Sequence, residues 1–414
     1  MQKQKNFQEK KNIVILGAGF AGVRAALDLN DYLHDQDEWE IILVDRRDYQ
    51  TYNSALYEAA TTEHRLVDAK KVKRTLTIPL LEIFQKTKVK VFKGFVDRIA
   101  LNDGKVVTDS RILPFDYLVC SLGSVADFYG IPNLEKYGFT LKSLEDAIMI
   151  RNQIEDLVGK KEQGQIIIGG GGFSGVEFVG EVHNLLKHEC KKHGRELKNF
   201  KIMVVEGGTG FLPGLSDKVS QIVGERIASF GIEAKFSTLI TEANKDYVVL
   251  NNKEQVESDL LIWTGGVRSC RLPVDAELER DKKDRTAVEL TLNLKKYPNV
   301  FIVGDNAYVI DPQTKRPMPA TAQEAIGMGK TAAKNIYRNI KSKPMLPYHA
   351  GPVRFVIPVG GKFAVFYSSN LIVSGFPGWV IRKAADLRYF LSILPWVKAF
   401  QYWFFENRIF TKND

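Results

Sequence analysis

The chain has 414 residues, 44% of them hydrophobic and 26% charged, the balance of a globular protein with two or three domains and sizeable cores. Its formal net charge of +9 suits an anionic partner such as a nucleotide or acidic lipid. Because basic and acidic residues are interleaved, fold-wide nucleic-acid binding is disfavoured, and the clearest basic run, residues 70–74 (KKVKR), reads as a solvated face. The three cysteines, Cys120, Cys190 and Cys270, lie far apart with no C-x-x-C pair; this disfavours a disulfide scaffold and a local zinc site, and fits a reducing compartment. No metal site is expected.

The N-terminus (MQKQKNFQEKK) is basic but runs into a predicted strand, not an apolar h-region, so no signal peptide is expected. No stretch reaches the roughly 18 apolar residues of a spanning helix. The apolar run 12–16 is followed by Gly17, Gly19 and Gly22 and then a helix-like segment; the run 165–168 is followed in the same way by Gly170, Gly172 and Gly175. In such a turn the first glycine permits the sharp bend. The second lets backbone approach a pyrophosphate, and the third lets helix and strand pack closely. Free N–H groups at the helix start then face the phosphates. An acidic residue ending the next strand would accept from the adenosine ribose. Asp45 ends the run 40–44 and Glu206 ends 201–205. Both lie beyond the usual separation of about 20 residues, so each intervening segment should be long. Two dinucleotides are implied.

After Asp45 comes a loop rich in tyrosine (Tyr49, Tyr52, Tyr57), then predicted strands at 89–92 and 118–121. A further strand, 260–263, ends in Thr264-Gly265-Gly266, and another, 300–303, precedes Gly304-Asp305; a helix is predicted over 320–339. Alternating strands and helices argue for doubly wound parallel sheets. The fold class is therefore α/β, with two Rossmann-type dinucleotide-binding domains, the second inserted in the first. The expected boundaries are 1–123 with 266–340, 124–265, and a C-terminal part 341–414.

That last part changes character. Residues 352–375 alternate like short strands, and 378–408 are aromatic and basic, with Trp379, Phe390, Trp396, Phe400, Trp403, Phe404 and Phe405 among Arg382, Lys383, Arg388 and Lys398. Val380, Ala384, Leu387, Leu391 and Leu394 recur at helical spacing, giving one apolar stripe, and Pro395 splits the segment into two helices. The pair reads either as a hairpin packed on the core or on another subunit, which would make a homodimer, or as an interfacial membrane anchor.

VILGAGFAG, Asp45, DYLVCSLGS, GGGGFSGVE, VVEGG, LLIWTGGV, NVFIVGDNA and MPATAQEA together resemble the two-dinucleotide flavoprotein reductases. Within that group they most resemble the type II NADH dehydrogenases, single-subunit NADH:quinone oxidoreductases, over nearly the whole chain. The resemblance implies FAD at Gly17, Gly19, Phe20, Ala21, Gly22, Asp45 and Arg46, with the backbone at Phe95-Val96 meeting the adenine. Gly123, Gly304, Asp305, Thr321 and Ala322 would complete the flavin site. NADH would lie at Gly170, Gly172, Phe173, Ser174, Gly175, Glu206 and Gly265, with Glu206 disfavouring a 2′-phosphate by like charge. Glu177 would sit near the nicotinamide as an orienting or proton-relay group, with Glu181 one turn later on the same face, and Gln323 would meet a quinone carbonyl. The implied enzyme passes a hydride from NADH to FAD and two electrons to a membrane quinone without pumping protons, bound peripherally at the cytoplasmic face of the cell membrane.

The chain departs from the family pattern at Gly327, where relatives carry a second glutamine. Two alternatives stand beside this reading. A sulfide:quinone oxidoreductase shares the fold but needs paired redox cysteines, for which Cys120 and Cys270 are the candidates. A flavoprotein that binds NADH as a sensor or partner would reduce quinone poorly.

Overall fold

The computed structural model describes residues 10–63, 69–369 and 371–410, so nearly all of the basic N-terminal run read above lies outside the described residues. The chain forms two compact units: one drawn from Met1–Gln50, Ile78–Val125 and Val267–Gly351, the other from Thr51–Thr77, Ala126–Gly266 and Pro352–Asp414.

The first unit is built on a five-stranded parallel sheet. Lys11–Leu16 is its centre, flanked on one side by Trp39–Asp45 and Lys90–Lys93 and on the other by Tyr117–Cys120 and Val300–Ile302. Ile13 to Leu16 are completely buried, as a parallel sheet covered on both faces requires. The helices Phe20–Tyr32 and Ala322–Ile340 cross very closely. A Cβ on Gly329 would stand 2.4 Å from the carbonyl oxygen of Ala21.

The second unit repeats the plan. Its parallel sheet runs Gly138–Thr140, Leu260–Trp263, Gly164–Gly169, Phe200–Val205, Glu233–Lys235. The long gap between the second glycine turn and Glu206 is filled by the 21-residue helix Phe173–His193, stopped by Gly194 in the left-handed region at φ 65°. The basic run lies on the helix Ala69–Leu76, with Lys70, Lys71, Lys73 and Arg74 exposed around a buried Val72.

The C-terminal part of this unit has an antiparallel sheet, Arg354–Pro358, Ala364–Ser368 and Leu371–Gly375, followed by the helices Phe376–Ile393 and Trp396–Phe410. The break falls at Pro395 as expected, but the first helix is turned opposite to an ordinary amphipathic helix. Val380, Ala384 and Leu391 of the apolar stripe are exposed and Leu387 is half-buried, whereas Arg382, Lys383 and Asp386 are buried. Arg382 and Lys383 therefore cannot meet lipid; Arg388 is the exposed cation of this helix.

The buried charges explain the tyrosine-rich segment, which is not simply a loop. Leu56–Thr61 is a helix, and Tyr52 and Tyr57 are each only 3% exposed. The Tyr52 hydroxyl donates to Asp386 Oδ1 at 2.5 Å, and its ring stacks on Tyr389. Arg382 pairs with Asp386 at 3.0 Å and donates to the Ser54 carbonyl at 2.8 Å, while Lys383 pairs with Glu58 at 3.2 Å. Glu406, on the last helix, is 1% exposed, with no hydrogen-bond partner among the described residues. Burial raises its carboxyl and that of Asp386, the arginine and lysine notwithstanding. Removing one partner from such a group leaves uncompensated buried charge. Arg382→Met is therefore expected to cost about 3–5 kcal/mol in chemical denaturation; a change within experimental error would show that the network does not hold the helix in place.

Candidate functional site

The two glycine turns are built on the same frame. Gly17 and Gly170 adopt φ of +95° and +111°, which only glycine holds without strain. A Cβ on Gly22 would lie 1.9 Å from the Gly17 carbonyl oxygen, and one on Gly175 would lie 1.9 Å from that of Gly170, so the third glycine is dictated by contact. At the middle glycines, Gly19 and Gly172, a Cβ would meet nothing within 4 Å. These positions face open space, where a pyrophosphate has room.

Both helices begin directly after that glycine, at Phe20 and Phe173, without a side-chain cap and without an acidic residue in the first turn. The N–H groups of an uncapped helix start suit an anion. Behind each turn stands a carboxylate. Asp45 accepts from the Ala18 N–H at 2.7 Å and from the Arg47 N–H at 2.8 Å; Glu206 accepts from the Gly171 and Gly208 N–H groups at 2.6 Å each.

A third component escaped sequence reading. The Ser121 hydroxyl donates toward the Leu16 and Gly17 carbonyls at 2.7 and 3.0 Å, and the Thr264 hydroxyl toward those of Gly169 and Gly170 at 3.1 and 3.0 Å. Each hydroxyl ends the strand beside the glycine strand. The signal was present as a Ser or Thr just ahead of Gly123 and Gly265, but it takes the sheet order to recognise it. Gly265 itself touches Gly170: a Cβ on the latter would meet the Gly265 Cα at 2.7 Å. Phe173 and Ser174 open their helix exposed, and the Phe173 ring meets Phe355 edge-on.

In the first unit, Gly304 takes φ +65° and Asp305 accepts from the Ser124 hydroxyl at 2.5 Å. Asn306, fully buried and also missed from sequence, accepts from the Gly123 N–H at 2.8 Å and donates to the carbonyls of Gly123 and Cys270 at 3.0 Å each. It locks the two loops together. A cavity of about 370 Å³ runs from Ser124 and Asp305 to Pro319 and Ala320. The helix expected from residue 320 starts at Ala322, because Thr321 is its N-cap, accepting from the Glu324 N–H at 3.3 Å. Ala21 packs under Gly304 and Arg46 lies near Cys270. Phe95 is exposed, and both of its backbone groups bond Asp109, at 3.1 and 3.0 Å; Val96 begins the strand Val96–Ala100. The open middle glycine, the carboxylate and the cavity fit an extended dinucleotide.

Glu177 belongs to the second unit and Gln323 to the first. Glu177 is partly exposed as a residue, yet burial pushes its carboxyl up to about 8; Arg382 opposes the shift, while Glu58 and Asp386 add to it. Glu181 is buried and accepts from the Gly361 N–H at 2.9 Å, which makes it a support for the following sheet. Among the thiols, burial pushes Cys120 up to about 12 and raises Cys270.

This twin-site α/β architecture defines a pyridine-nucleotide-dependent flavoprotein class. Residues 11–329 match the family described as pyridine nucleotide-disulphide oxidoreductase. The chain is 32% identical over 92% of its length, and 95% of the relative's, to a type II NADH:quinone oxidoreductase of Staphylococcus saprophyticus, and 30% identical over the same shares to one of Staphylococcus aureus. The solved structure of NDH2 from Plasmodium falciparum in complex with NADH superposes with a TM-score of 0.80 at 16% identity, covering 97% of this chain and 99% of that one. The sulfide:quinone oxidoreductase of Aquifex aeolicus shares the fold at a TM-score of 0.76 and 19% identity, covering 92% and 90%. The chain belongs to the type II NADH:quinone oxidoreductases, oxidoreductases with FAD and NADH as their cofactors.

The duplicated frame separates the two cofactors experimentally. Gly22→Ala is expected to yield protein lacking the 450-nm flavin band, and Gly175→Ala to keep the band but lose saturation by NADH; equal loss of flavin from both would refute independent sites. Glu177 offers a pH test. Its proton is retained up to about pH 8 in the fold, whereas the unfolded carboxyl ionises near 4.5, so the stability cost is absent below that value and grows until about pH 8. Glu177→Gln should therefore gain stability on its parent progressively across that window, read from denaturation midpoints.

Proposed function

We propose that the first unit holds FAD and the second NADH, and that the enzyme oxidises NADH and reduces a quinone at a membrane surface without pumping protons. The observation that carries this reading is the duplicated glycine frame, each copy with its own ribose-directed carboxylate, in a chain of this family. Bound FAD would take a hydride from the nicotinamide and pass two electrons on to the quinone.

The protein's own residues position and screen. Asp45, held by two backbone N–H groups, presents its remaining acceptor capacity to the ribose of FAD. Gly304 and Asp305 face the ribityl side, and the helix start at Thr321-Ala322 puts the positive end of a dipole where negative charge gathers. Glu206 receives the ribose of NADH and repels a 2′-phosphate. Glu177 keeps a proton through neutral pH beside the nicotinamide, available to a substrate that takes up protons on reduction. Gln323 orients the quinone.

The tail supports attachment to a membrane face. Trp396 is 69% and Phe404 63% exposed, and Phe376, Val380, Leu391, Val397 and Phe400 of the same two helices are exposed too, large apolar side chains of the kind that form an interaction surface. Exposed Arg388 suits anionic headgroups. Among the described residues no helix is long and apolar enough to cross a membrane; the reading is peripheral binding at the cytoplasmic face. The sulfide alternative gains no support, since it needs thiols that ionise readily and burial raises both candidates.

The test is stopped-flow absorbance with NADH and then a short-chain quinone. Bleaching by NADH followed by fast quinone-driven recovery is expected, and bleaching without recovery would select the sensor alternative. In a Trp396→Ser/Phe404→Ser variant the same turnover with soluble quinone should persist while sedimentation with anionic vesicles falls about tenfold or more. Loss of dimerisation with unchanged vesicle binding would assign that face to a subunit contact.

A further inference from the structure

Gly327 has no conformational need to be glycine. It lies inside the helix Ala322–Ile340, and its φ is not positive. A helical glycine costs roughly 1 kcal/mol relative to alanine, so something else must favour it. That something is room. A Cβ at 327 would stand 2.9 Å from the Tyr348 hydroxyl and 3.2 Å from its Cε2. The tyrosine side chain fills the space that a longer residue at 327 would take.

Tyr348 is fixed there from several directions. It is 4% exposed, and its N–H donates to the Leu290 carbonyl at 2.7 Å. The Asn335 side chain clamps the same strap, donating to the Leu346 carbonyl and accepting from the Leu346 N–H, both at 2.8 Å. The Tyr348 hydroxyl donates to Glu324 Oε2 at 2.5 Å; burial and that carboxylate both raise the phenol, so it remains an O–H donor. Three residues on, a Cβ at Gly351 would come within 2.7 Å of Gln323 Nε2. The strap thus overlies the helix turn that carries Gln323, and position 327, one turn further along, shares that face.

We propose that Tyr348 takes the place of the second glutamine in this chain and sets the shape of the electron-acceptor pocket, so that Gly327 and Tyr348 form one interdependent pair that determines acceptor specificity. The inference rests on the quinone-reductase reading above. Tyr348 is a positioning residue: its ring excludes a side chain at 327, and its hydroxyl holds Glu324 beside Gln323. A glutamine at 327 requires the Tyr348 ring to shift, and with it the bond from its hydroxyl to Glu324.

The test is a double-substitution cycle with Gly327→Gln, Tyr348→Ala and the two combined. KM and kcat are measured for quinones of different ring substitution, alongside the rate of flavin bleaching by NADH alone. Each single substitution is expected to raise the quinone KM about tenfold, and the double to recover most of that loss, on the scale of coupling between side chains in contact. NADH-driven bleaching should stay unchanged throughout. Tyr348→Phe should keep the rank order of quinones and raise KM less than Tyr348→Ala. Additive effects, or single substitutions that slow bleaching as much as quinone turnover, would overturn the pairing. If Gly327→Gln does not fold, unchanged quinone preference in Tyr348→Ala and Tyr348→Phe would overturn it equally. A parent enzyme that bleaches with NADH but reduces no quinone would instead remove the underlying reading.

Discussion

The constraint on which both units depend is the satisfaction of backbone N–H groups at a turn that must also leave some of them free. A strand that bends straight into a helix leaves the helix's first amides without partners, and burying them all would leave nothing for a phosphate. Here the division of labour is explicit: the amide of Ala18 or Gly171 goes to a carboxylate, and the carbonyls of the bend go to a hydroxyl. The carboxylates are thereby oriented before any ligand arrives. Much of the ordering entropy of those two side chains is settled when the unit folds.

The second unit solves a different problem with the opposite logic. Its helix Phe376–Ile393 buries arginine, lysine and aspartate while presenting Val380 and Leu391 to the surroundings. Hydrophobic burial does not orient such a helix. Specific pairs do, with Tyr52, Ser54 and Glu58 as the matching surface. Four carboxyl groups, Glu58, Glu177, Asp386 and Glu406, share two cations, Arg382 and Lys383, and burial raises Glu177, Asp386 and Glu406 despite them.

Much of this was legible in the residues. Glycine spacing, the apolar runs before it and the acid ending the next strand are local signals, and each dinucleotide frame is local in that sense. The parallel sheets followed from alternation. What stayed hidden depends on tertiary proximity. The roles of Ser121 and Thr264 appear only once strand order is known, and Asn306 looks like any turn residue until its amide is seen to bridge two loops. The tail's orientation stayed open for a physical reason: helical periodicity reveals that a stripe exists, but not which face turns inward. Partners 325 to 334 residues away decided it. Likewise, the departure at Gly327 was visible, but its compensation by Tyr348 was not, because a space-filling exchange leaves no periodic trace.

The Tyr52–Asp386 bond joins residues 334 positions apart, and that separation bears on how the molecule is made. During synthesis the segment containing Tyr52, Ser54 and Glu58 emerges more than 300 residues ahead of the helix that covers it. The first sheet likewise waits for Val300–Ile302. Neither unit can finish before most of the chain exists, and such long-range closure is slow and exposes unfinished surfaces. The helix pair that completes the second unit carries the exposed Trp396 and Phe404, so that apolar face is displayed in order only once the earlier segment has captured its late partner.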